Sequence, residues 1–188
     1  MKIDRKLNIV VPVDTEDGKT VYVHSAPIGR EVFETYFLPL SKTFAAIYAE
    51  GLGSIAGPRI ASLMLKRVAG DMGVGEEVER GLLAEIRRLT NLVMQGEQGW
   101  ETVPFQLAVD RKMLDADDMA EIENALVYFT VASSMHKRKD LGPILDGALK
   151  LWSGSTSSLD CTEFAASLTT STKVAGTGKK PAASSVPC

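Results

Sequence analysis

The side chains able to do covalent or metal chemistry are few in this sequence and stand far apart. There are two histidines, His24 and His136, and two cysteines, Cys161 and Cys188. A metal centre needs clustered imidazole, thiolate and carboxylate ligands, and no such cluster with a ligand spacing is present in the sequence. Local sequence offers no Ser-His-Asp or Cys-His pairing. His136 closes a helical pattern, where an imidazolium complements the negative end of the helix dipole. Asp115, Asp117 and Asp118 stand close together as calcium-loop acids do. The loop glycine and the distal glutamate are missing, and helix capping accounts for the acids. Two glycine-rich stretches, GLGSIAG at 51–57 and GDMGVG at 70–75, invite a phosphate reading. Neither ends in Gly-Lys-Ser/Thr and neither follows a buried strand. The expectation is a protein without catalysis, cofactor or metal.

The elements that would carry any function are mostly helices. Residues 115–139 hold the strongest pattern. Met119, Ile122, Leu126 and Phe129 recur at three and four, and Ala125, Tyr128, Val131 and Ala132 widen that face until it runs nearly all round. Asp115 is the expected N-cap, with acids in the first turn and His136, Lys137, Arg138 and Lys139 at the end. Residues 7–28 read as a β-hairpin, with alternating Leu7, Ile9, Val11 and Val13, an Asp-Gly turn, and the returning strand TVYVH. Pro12 removes an amide donor and places its strand at an edge. Residues 29–50 follow helical spacing, kinked or split by Pro39. Residues 54–69 form a helix with Pro58 in its first turn. Residues 76–95 form another, with Val78, Leu82, Ile86, Leu89 and Val93 as its stripe. Residues 100–114 fit a short strand or an irregular docking segment. A short helix over 141–152, a linker at 153–158 and a capped helix from Asp160 complete the pattern. The expected architecture is mainly α: an N-terminal hairpin (1–28) packed on a helical domain (29–168), then a flexible Thr/Ser/Gly/Lys tail (169–188).

At 188 residues, the length suits one domain. The net charge of −3 argues against a nucleic-acid partner, the more so because Lys173, Lys179 and Lys180 lie in an acid-free C-terminal stretch, leaving the body more acidic. Two cysteines make no disulfide framework and read as reduced thiols. No apolar run is long enough for a membrane helix, and the start does not read as a signal peptide.

Apolar surface is what remains to be explained. Phe33, Tyr36, Phe37, Phe44 and Tyr48 lie on the segment that Pro39 interrupts. Leu151 and Trp152 stand beside the linker. Core packing explains all of them. A groove for a partner helix is the second reading, and it makes Phe33, Tyr36, Phe37, Leu151 and Trp152 the candidate partner-binding residues.

The chain resembles the tail assembly chaperones of long-tailed (siphovirus-like) bacteriophages. The resemblance rests on the hairpin running into SAPIGREVFE at 25–34 with Tyr36 and Phe37. It rests also on the last small helix, LDCTEFAASL at 159–168, passing into a tail with Gly178-Lys179-Lys180. It implies a helical protein of the host cytoplasm, absent from the finished virion, that keeps the tape measure protein soluble until the tail tube polymerises around it. It also implies a ribosomal frameshift near Gly178-Lys179-Lys180, giving a longer form that reaches the tail tube protein. A structural tail completion or connector protein is the alternative. The sequence leaves homo-oligomerisation open.

Overall fold

Residues 7–15, 18–49, 51, 53–97 and 99–174 are described by the computed structural model of the chain. β1 (Asn8–Asp14) and β2 (Thr20–Ser25) pair antiparallel, Ile9 opposite Ser25 and Asp14 opposite Thr20. The Thr15 amide donates to the Lys19 carbonyl at 2.9 Å, and Gly18 takes φ +72° in the turn, a value open to a residue without Cβ.

This hairpin is part of a larger sheet. β3 (Thr90–Gly96), β4 (Gly99–Pro104) and β5 (Ser155–Ser157) join it in the order β4-β3-β2-β1-β5, every pairing antiparallel. The mainly α expectation, with a lone hairpin, is therefore corrected to a mixed α/β fold built on a five-stranded sheet. The helix expected over 76–95 ends at Arg88, and Val93 of its stripe is a strand residue opposite Tyr22. Leu89 and Val93 keep a four-residue spacing with no helix beneath it. Gly96 pairs with Gly99 and closes a second hairpin. The 153–158 linker contains β5, which pairs with Asn8 to Val10 of β1. Pro12 thus stands just beyond β5, on the part of β1 whose outer edge is open.

Both faces of the sheet are covered. Alternate strand residues point to opposite sides, and Val11, Val23, Leu92 and Val103 form one row across four strands. The first three of these belong to the main core, with Ile122, Leu126 and Phe129 of the central helix. On the other face Tyr22 and His24 meet the Phe164 ring at 5.7 Å. Phe164 belongs to α9 (Cys161–Val174). Double coverage explains why Val10 and Val93 are as buried as Val11 and Leu92.

The main helical layer begins with α1 (Arg30–Thr35) and α2 (Phe37–Ala49). They separate at Tyr36, and Pro39 falls in the first turn of α2, where its missing amide costs no helical bond. α3 (Gly53–Asp71) starts early enough that Pro58 lies inside it, past the expected first turn. α2 and α3 meet closely at Gly57, where a Cβ would stand 2.5 Å from Ile47 Cγ2. α4 (Gly75–Glu77) runs through a π-helical segment (Val78–Leu83) into α5 (Ala84–Arg88). α6 (Phe105–Asp110) follows β4.

α7 (Ala116–Met135) is the axis of this layer. Asp115 caps it, accepting from the Asp118 amide at 2.7 Å, and every residue from Ala125 to Ala132 is buried. At about 1.5–3 kcal/mol for each large apolar side chain, this helix is a principal source of stability. A 3-10 turn (Arg138–Asp140) leads to α8 (Leu141–Leu151). At α9 the Glu163 amide donates to Asp160 and the Asp160 amide to Glu163, a reciprocal capping box. α9 continues to Val174, so the segment from 169 begins as helix. The rest of the expected tail, 175–188, lies outside the described residues, as do residues 1–6. No helix among the described residues is long and apolar enough to cross a membrane.

Candidate functional site

The outer side of α2 carries the densest exposed apolar surface. Leu40, Thr43 and Ile47 turn inward and are fully buried. Phe37, Leu38 and Tyr48 face out, and Phe37 and Leu38 are half exposed at 50% and 52%. Phe37, Ala45 and Tyr48 fall along one helical stripe, with Ser41 between them. α3 adds Leu63, 64% exposed, among the exposed residues Arg59, Lys66 and Arg67. Large apolar side chains grouped on helices in this way mark a contact surface more often than chance exposure does.

This face is firmly seated. Phe44 lies 4.6 Å from the Tyr48 ring and 5.2 Å from the His136 ring. The Tyr48 and Tyr128 hydroxyls are 3.4 Å apart. Burial, and then the bond to Tyr48, push the Tyr128 phenol well above its ordinary pKa, so it stays protonated. His136 ends α7, its Nδ1 3.1 Å from the Ala132 carbonyl. Behind α3, Glu123 of α7 accepts from Lys66 at 2.6 Å, Ser62 Oγ at 2.5 Å and Arg87 at 3.4 Å. Burial opposes the Glu123 charge, yet these donors outweigh it and hold its pKa below the ordinary carboxylate value.

The five residues proposed from sequence occupy two separate places. Phe33 is half-buried and meets Phe37 edge to face at 5.7 Å, so these two belong to the α1–α2 surface. Tyr36 turns the other way and lies over Gly81, its hydroxyl 3.4 Å from the Glu77 carbonyl. Leu151 is half-buried and Trp152 is buried, the indole meeting Tyr128 edge-on at 6.1 Å. Trp152 Nε1 is the buried side-chain polar atom without a partner among the described residues. Leu38 falls outside the apolar stripe of residues 29–50. Leu63 falls within the stripe of residues 54–69, with Ile60, Met64 and Val68, yet it is exposed.

His24 and Cys161 line one cleft with Asn8, Asn91 and Glu163. The Leu159 carbonyl accepts from Asn8 Nδ2 at 2.6 Å and from His24 Nε2–H at 3.1 Å. Burial lowers the His24 pKa, against that carbonyl and Asp160, and favours the neutral ring. Burial raises the Cys161 thiol to about 11, assisted by Asp160. The bonds from Asn8 and His24 tie the start of α9 to the sheet, and a neutral imidazole committed to a carbonyl beside a protonated thiol is not an activated nucleophile. Among the described residues no group of three or more His, Cys, Asp or Glu is placed to hold a metal ion.

Comparison of the chain with known protein families, with curated proteins and with solved structures finds no match.

Proposed function

We propose that this chain is a tail assembly chaperone of a long-tailed bacteriophage. It binds the tape measure protein stoichiometrically in the host cytoplasm, keeps it soluble while the tail assembles, and is absent from the finished particle. The observation that carries this reading is the outward apolar face of α2, Phe37, Leu38 and Tyr48, on a helix whose other side is locked into the core. A helical client with apolar surface needs such a face, and the acidic balance of the chain helps keep the complex in solution. The family resemblance at residues 25–37 and 159–168 supplies the identity of the client. A longer frameshifted form, diverging near Gly178-Lys179-Lys180, would bring in the tail tube protein.

The test is co-expression with the tape measure protein of the same phage. The chain should yield a soluble complex, and Phe37→Asp with Leu38→Asp should abolish it while leaving the thermal midpoint of the chain nearly unchanged. A client that stays insoluble with no complex eluting overturns the reading. Abundant copies in purified particles, detected by mass spectrometry, would instead make the chain a structural tail component.

A further inference from the structure

α2 and α3 are joined by residues 50–52 alone, and so short a connection sets two packed helices antiparallel. Their inner sides meet at Ile47 and Gly57, so their outer sides adjoin. On each outer side a leucine stands exposed with a base one helical turn away. Leu38 is followed by Lys42, and Leu63 lies between Arg59 and Arg67, all of them exposed.

These three bases are uncommitted. Lys66, beside them on α3, reaches Glu123 at 2.6 Å. The side chains of Lys42, Arg59 and Arg67 make no ion pair or hydrogen bond with a described residue. Arg59 shares a cleft with Asp117 and Glu121 of α7 without pairing to either. The sequence from 37 to 71 holds four bases and two acids, on a chain of net charge −3. The acids are Asp71, the last residue of α3, and Glu50, which lies outside the described residues. An apolar surface fringed by unpaired cations favours a partner whose own apolar stripe is fringed by carboxylates, and repels one fringed by bases.

We infer that the α2–α3 surface takes an acidic amphipathic helix, its apolar stripe against Phe37, Leu38 and Leu63 and its carboxylates against Lys42, Arg59 and Arg67. The inference rests on the reading of the α2 face as a client surface and adds the charge class of the client segment. The apolar stripe supplies adhesion, and the flanking charges choose among helices that all possess one.

Two synthetic peptides of about twenty residues test it on the full chain. Both carry the same leucine stripe at helical spacing. Glutamates flank the stripe in one and lysines in the other. By fluorescence anisotropy the glutamate peptide should bind at least several-fold more tightly. The gap should narrow as NaCl rises from about 0.1 M to about 1 M, where the screening length falls from about 10 Å to about 3 Å. Arg59→Gln and Arg67→Gln alter exposed side chains and should each weaken the glutamate peptide about two- to five-fold, the range of an exposed ion pair. Equal or tighter binding of the lysine peptide, or binding of neither, would overturn the inference. Tighter binding to phosphatidylglycerol vesicles than to the glutamate peptide would overturn it too, and assign the surface to a bilayer. The tape measure protein separates this inference from the reading beneath it. A complex that forms but ignores Arg59→Gln and Arg67→Gln sinks the inference alone. A glutamate peptide that binds where no tape measure complex forms sinks the identity of the client and supports the charge class.

Discussion

The hydroxyl of Tyr36 occupies the space that a Cβ on Gly81 would need, 1.7 Å from where that carbon would lie. Gly81 falls within the π-helical segment, and the Tyr36 hydroxyl is 3.4 Å from the Glu77 carbonyl at its start. One glycine thus lets α1 dock on the α4–α5 helix. Gly81→Ala should destabilise the chain by about 1–2 kcal/mol, the overpacking cost exceeding the ~1 kcal/mol that alanine returns to a helix. In a Tyr36→Ala background the same change should become neutral or stabilising. Urea unfolding of the four variants gives the coupling.

Glu123 joins three elements through Lys66, Ser62 and Arg87. Glu123→Ala should cost about 1–3 kcal/mol, less than breaking a fully buried pair, because the site is partly wet. Its folded pKa is lowered, so its contribution is present above the unfolded carboxylate pKa and is lost as pH falls through the folded value. Acid titration of stability should flatten in that low-pH window when Glu123 is replaced. An unchanged acid limb would show that the cluster is energetically idle.

His24 acts in a higher pH window. Burial lowers its folded pKa below 6.5, so the unfolded chain takes up the proton first. Stability should fall as pH drops from about 6.5 towards the folded pKa. His24→Gln keeps a donor for the Leu159 carbonyl and should reduce the difference in urea midpoint between pH 7.5 and pH 5.5. Ring signals of His24 followed by NMR should titrate below those of a model imidazole.

Cys161 should alkylate slowly in the native chain. Its thiol stands at about 11 against an ordinary 9.0, so the thiolate fraction at pH 8 is lower by roughly 100-fold. In a Cys188→Ser background, iodoacetamide labelling should be slow in buffer and fast in urea. Equal rates would mean that α9 leaves the sheet readily.

The parts of the fold legible in the sequence were those whose stabilising partners are close along the chain. The β1–β2 hairpin, the Asp115 cap and the Asp160–Glu163 box each depend on contacts within a few residues. β3 reads as helix in the sequence because Ile86, Leu89 and Val93 keep helical spacing across the end of α5, and double coverage removes the alternation that marks a strand. β-branched Thr90 and Val93, and Gly96 facing Gly99, were the available signals. β5 left no apolar trace, since Ser155 to Ser157 join the sheet through backbone pairing with a strand about 147 residues away. At the candidate surface the aromatic residues of α1 and α2 were visible. Tyr36 and Trp152 were grouped with them because sequence does not say which way a side chain turns at a helix end.

β1 is flanked by β2 on one side and by β5 on the other, the first strand of the sheet beside the last. During synthesis the outer edge of β1 stays bare until the ribosome has read past codon 157, and the Phe164 cover over Tyr22 and His24 arrives later still. A polypeptide released before that point should carry an open sheet edge, self-associate and be degraded. Quality control by the cell would then favour products that reach the end of α9.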